Sequence, residues 1–77
     1  MNNLDFGIKR KLYDFELFCD DLKSKKISKR DLRKLKKDFS DIQYYLKKEE
    51  KRGKITNYNG VISKYKKIYD EINKANT

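Results

Sequence analysis

Seventy-seven residues carry a net charge of +9, with 43 % charged and 36 % apolar side chains, one cysteine and no histidine. A chain of that length makes one domain, residues 1–77, with a modest core. A lone cysteine excludes an internal disulfide, no apolar run approaches the roughly 18–20 residues of a membrane span, and no signal-peptide core is visible, so the expected location is cytoplasmic.

Low apolar content raises disorder as an alternative. The apolar residues are periodic rather than sparse, however, which argues for folded structure. Proline is absent and glycine occurs three times, which favours helix throughout. The expected fold class is all-α: a small antiparallel three-helix bundle with helices at about 4–23, 28–52 and 58–75.

In the first segment Ile8, Leu12, Phe15, Cys19 and Leu22 are spaced 4, 3, 4, 3, the alternation of a helix seam packed on its neighbours. Phe18 widens that stripe. Lys23, Ser24, Lys25 and Lys26 form a polar link. Ser28 then offers an N-cap with Asp31 three residues on, a shortened capping box, and Ile27 and Leu32 are placed as a hydrophobic staple. Leu32, Leu35, Phe39, Ile42 and Leu46 carry the second stripe, with Lys51 and Arg52 in the last turn and Gly53 as a stop. At 1.5 Å per residue that helix would be about 36 Å long. Residues 53–59 form a second connection in which Thr56, Asn57 and Asn59 all qualify as caps, while Asn59-Gly60 also suits a tight turn. Val61, Tyr65, Ile68, Ile72 and Ala75 give the third stripe, flanked by Tyr58, Ile62 and Tyr69.

Catalytic chemistry finds little support. Without histidine the commonest general base and metal ligand is missing, and one cysteine cannot build a zinc site. Gly7, Gly53 and Gly60 are isolated, so no phosphate loop exists. Asp20–Asp21, Glu49–Glu50 and Asp70–Glu71 are adjacent pairs, which diverge by about 100° on a helix. Cys19 lies in an apolar stripe and reads as core. A non-enzymatic protein with no cofactor and no metal is expected.

The charge is uneven. Residues 1–22 carry a net −2, residues 23–27 +3, residues 28–54 +6 and residues 55–77 +2. Lys outnumbers Arg 17 to 4, a bias that an AT-rich coding sequence alone would produce, so placement matters more than total. On a wheel of about 100° per residue, Lys29, Arg30, Arg33, Lys34, Lys36, Lys37, Lys47, Lys48, Lys51 and Arg52 share the half of the second helix opposite its stripe, with Tyr44 near the middle. Asp31, Asp38 and Glu49 gather along one flank. A basic strip with one aromatic suits a phosphate backbone. The bland alternatives are a solvated face, or internal pairing with Asp14, Asp20 and Asp21 of the acidic first helix and i,i+4 pairs such as Asp38–Lys34.

A second feature lies on the first helix. Phe6, Tyr13 and Leu17 fall about 160° from Ile8, across from the main stripe. That line is expected to be a partner or dimer interface. Two function classes follow. One is a small basic protein contacting nucleic acid, or a nucleoprotein complex, through the second helix, with an acidic protein as the other polyanionic partner. The alternative is a protein-interaction module, such as an inhibitor, an immunity-type protein or a phage accessory protein, binding through Phe6, Tyr13 and Leu17. A homodimer would complete a bundle this lean. Peripheral membrane contact ranks last, because the core needs the same stripe that lipid would take.

Overall fold

A computed structural model describes residues 4–75. Helix α1 spans Phe6–Lys23, α2 Lys29–Lys51 and α3 Tyr58–Ala75. Each helix packs on the other two, and the body measures 39 × 20 × 17 Å. No strand occurs among the described residues. The expected three-helix bundle is the observed fold.

Local chemistry explains the boundaries. At the start of α2, Asp31 N–H donates to Ser28 Oγ at 3.2 Å, and Ser28 N–H donates to Asp31 Oδ2 at 3.1 Å, completing the reciprocal box. Those bonds favour the ionised carboxylate, with the Ser28 backbone N–H the largest influence, and hold Asp31 below its ordinary value. The Asp31 half of the cap is therefore complete above the ordinary carboxylate value, about pH 4, and is lost as pH falls through the lower folded value. Ser28→Ala removes the other half and should cost about 1 kcal/mol in urea denaturation at pH 7.

The end of α2 is equally well specified. Gly53 sits at φ 77°, a left-handed conformation that side chains resist. Its N–H donates to the Glu50 carbonyl and that of Lys54 to the Glu49 carbonyl, both at 3.0 Å. These two bonds form a Schellman motif, which satisfies carbonyls the helix leaves open. At α3, Asn57 takes the capping role, its Oδ1 accepting from Gly60 N–H at 3.0 Å. Asn59 and Gly60 lie inside the first helical turn, not in a tight turn.

The core contains Leu12, Phe15, Cys19 and Leu22 from α1 and Leu35, Phe39, Ile42 and Leu46 from α2, as their spacing requires. The third stripe is rotated from its expected position. Tyr58, Ile62, Tyr65 and Ile72 are buried, Val61 and Ile68 are half-buried, and Ala75 is exposed. The rings decide this: Tyr69 stacks on Phe39 at 4.5 Å and 7°, and Tyr65 meets Phe15 edge-on at 6.1 Å. Two α3 tyrosines thus turn toward α1 and α2, bringing the Tyr58–Ile62 side of the helix inward with them. Ile55, in the link before α3, is 2 % exposed and closes the end of the core.

Candidate functional site

The ten cations expected on α2 fall into two groups once side chains are placed. Three are engaged with the protein itself. Lys34 Nζ lies 2.6 Å from Asp38 Oδ2 and 4.3 Å from the centre of the Phe18 ring. Lys47 Nζ stands 3.7 Å from Glu50 Oε1 and 4.3 Å over the Tyr58 ring. Arg52 Nη1 donates to Glu49 Oε1 at 3.2 Å and lies 3.9 Å from Asp5 Oδ2. Arg52 belongs to the end of the bundle, where Lys54 also bonds Asp5 at 2.5 Å. The Lys54 hydrogen bond is the main cause of an Asp5 carboxyl below its ordinary value, with the Arg52 charge contributing.

The other seven are Lys29, Arg30, Arg33, Lys36, Lys37, Lys48 and Lys51. All are exposed, and none forms an ion pair with a described residue. On the helix wheel they occupy an arc of about 120° that contains no acidic residue. Tyr44 lies inside that arc and is 63 % exposed, its ring edge-on to Tyr45 at 5.4 Å. From Lys29 to Lys51 the strip runs about 33 Å at 1.5 Å per residue.

The expected i,i+4 pair of Lys34 with Asp38 forms, but the acidic residues of α1 pair elsewhere than on α2. Asp14 lies 3.9 Å from Arg10, and Asp21 3.3 Å from Lys25, which also reaches Asp31 at 3.8 Å. Among the described residues, no ion pair joins Asp14, Asp20 or Asp21 directly to α2. Glu16 of α1 pairs with Lys64 of α3 at 2.8 Å, and Lys11 of α1 lies over the Tyr45 ring of α2 at 5.0 Å. Helix α1 carries four basic and four acidic side chains, and among the described residues none of its acids pairs with the strip.

The strip is costly to the helix that bears it. Lys29–Arg33 and Arg33–Lys37 are like charges at i,i+4, each unfavourable by about 0.2–0.5 kcal/mol. Lys29 and Arg30 also oppose the positive end of the helix dipole. Lys48 and Lys51, in the last turn, complement the negative end of the dipole, but folding gives no such reason for Lys29, Arg30, Arg33, Lys36 and Lys37. A need for net charge would be met equally well by dispersed lysines.

Glu49 was expected on the flank of the α2 stripe and is instead 2 % exposed. Its Oε2 has no hydrogen-bond partner among the described residues. A buried carboxylate of this kind depends on the Arg52 contact, which draws Arg52 away from the strip.

Cys19 is 1 % exposed, and burial pushes its thiol up to about 11, so it is a core residue with little thiolate at neutral pH. No group of three histidine, cysteine or acidic side chains is placed to hold a metal ion among the described residues. No described helix is long and apolar enough to cross a membrane. On α1, Phe6 is 79 %, Tyr13 60 % and Leu17 49 % exposed, so the second apolar line is a real surface feature. Lys9, Arg10 and Asp14 border it. Comparison with protein-family models, curated proteins and solved structures finds no match.

Proposed function

We propose that this protein is a non-enzymatic nucleic-acid-binding module that grips the phosphate backbone with α2. The observation that carries the reading is the acid-free arc of seven unpaired cations, maintained at a cost to helix stability. Seven exposed ammonium and guanidinium groups lie on a strip of about 33 Å, close to the length of one duplex turn, roughly 34–36 Å. Contacts of this type position a protein on nucleic acid without reading its bases. Tyr44 adds a ring that stacks on an unpaired base or bonds a phosphate oxygen. An acidic protein presents a less regular array of negative charge to so long a strip.

Fluorescence anisotropy with a labelled DNA duplex and a labelled single-stranded RNA, from 50 to 300 mM salt, tests the proposal. Binding should weaken steeply with salt, with a log–log slope of about −0.9 per phosphate neutralised on duplex, reaching about −6 if all seven cations engage. Weak dependence on sequence is expected. Absence of binding to either probe at 50 mM salt would overturn the reading.

A further inference from the structure

We infer that the exposed face of α1 is a self-association surface, on which a second copy of this chain docks antiparallel through Phe6, Tyr13 and Leu17. The face lies on the least positive part of a chain of net charge +9, since residues 1–22 carry a net −2. The face is itself balanced, Lys9 and Arg10 being offset by Asp20 and Asp21, so two copies approach on it without strong mutual repulsion.

The order of charge along α1 supports this and specifies the register. Taking Phe6 as the centre of the face, Lys9 and Asp20 fall about 60° and 40° to one side, and Arg10 and Asp21 about 40° and 60° to the other. Basic residues thus occupy the N-terminal end of both flanks and acidic residues the C-terminal end. That order opposes the dipole of α1, which favours acids at its start and bases at its end. The helix dipole therefore does not account for it.

An antiparallel second copy does. A two-fold axis perpendicular to the plane of the two helices sets each flank against the same flank of the other copy. If the axis passes at the level of Phe15, contacting residues have numbers summing to about 30. Lys9 then meets Asp20 of the second copy on one flank, while on the other Arg10 faces Asp21, each of which also has a partner in its own chain, Asp14 and Lys25. In the same register Tyr13 packs on Leu17 across the axis, and Phe6 covers the last turn of the opposing helix. A single register satisfies the unpaired Lys9 and Asp20 together with the apolar line, and sets opposite charges together on the other flank as well. Lys9 and Asp20 have no ion-pair partner within the chain among the described residues, so they are available for this role. One helix face per copy buries less than about 1,200 Å² in total, which corresponds to a weak and concentration-dependent dimer.

Sedimentation equilibrium of the full chain from 5 to 500 µM, at low salt, tests the inference. The wild type should dimerise reversibly, and Leu17→Asp should abolish the dimer with the far-ultraviolet circular dichroism unchanged. Lys9→Glu alone and Asp20→Lys alone should each weaken the dimer about tenfold, because each places like charges together at both ends. An equimolar mixture of those two variants should regain wild-type association, since every contact in the mixed dimer is again between opposite charges. Both substitutions also bring α1 into agreement with its dipole, so loss of the helix does not explain their effect. Lys9→Glu lowers the net charge of the chain, so general repulsion would predict tighter association, the opposite of the expected result. A monomer at every concentration, which leaves the face to a different protein, overturns the inference. So does a dimer insensitive to Leu17→Asp, or a mixture that associates no better than its components.

Discussion

Exchanging Arg33, Lys37 and Lys48 together for glutamine should weaken duplex binding by on the order of 10²-fold at 0.1 M salt and flatten its salt dependence. Each of these side chains is exposed and without an ion pair among the described residues, so each is available to one phosphate. Losing three phosphate contacts should bring the log–log slope toward zero by about 2.7, since each contact contributes about 0.9. Glutamine has nearly the helix propensity of lysine and arginine, and the exchange relieves like-charge repulsion along α2. Unfolding therefore does not confound the measurement, and thermal denaturation should show equal or greater stability. Arg52→Gln supplies the contrast. Arg52 is held by Glu49 and Asp5, so the slope should hardly change while stability drops, because a buried carboxylate loses its partner. Anisotropy titrations at several salt concentrations separate the two outcomes. A slope unchanged in the triple variant would move the contact to another face.

Phe15→Ala should cost about 3–5 kcal/mol, the range for removing a large aromatic side chain from a core. Phe15 is 2 % exposed, and its ring meets Phe39 of α2 and Tyr65 of α3, each at 6.1 Å. It stands where all three helices converge, so no single neighbour can move to fill the space it leaves. Small domains have only about 5–15 kcal/mol of stability in total. The melting temperature should therefore fall by at least about 12 °C, at 4–8 °C per kcal/mol for a domain of this size. Leu17, two residues further along on the exposed side, should tolerate substitution with little loss of stability in the monomer. Urea denaturation of Phe15→Ala and Leu17→Asp side by side tests whether the two faces of α1 have separate duties. Similar losses in both would remove the distinction between core face and docking face.

Much of the architecture was legible in the order of residues. The 4, 3, 4, 3 seam of α1 and the 3, 4, 3, 4 seam of α2 correspond to their buried faces, with Ile8 and Leu32 at the start of each only half-buried, because a period near 3.6 leaves one stripe able to face a core. Ser28 with Asp31 and the left-handed Gly53 mark ends whose bonding is confined to a few adjacent residues, so no distant contact is needed to infer them. Glu49 shows how chemical type can mislead. Position 49 follows Leu46 by three and so continues the 3, 4, 3, 4 seam, but a carboxylate there reads as a flank residue. Its periodicity was the available signal, and the burial followed periodicity rather than polarity.

By itself, then, the sequence determined that there would be three helices, where α2 begins and ends, and that cations would collect on one side of it. These properties depend on spacing and on bonds between near neighbours. Only the tertiary structure decided how α3 is rotated, because that depends on rings of Phe15 and Phe39 supplied by other helices. It also decided that Ile55 enters the core from a link without periodicity. Finally, it divided ten similar cations into three that hold the protein together and seven that remain available. That division rests on Asp5, Phe18, Glu49 and Tyr58 arriving beside particular side chains, two of them from other helices and one from the chain before α1.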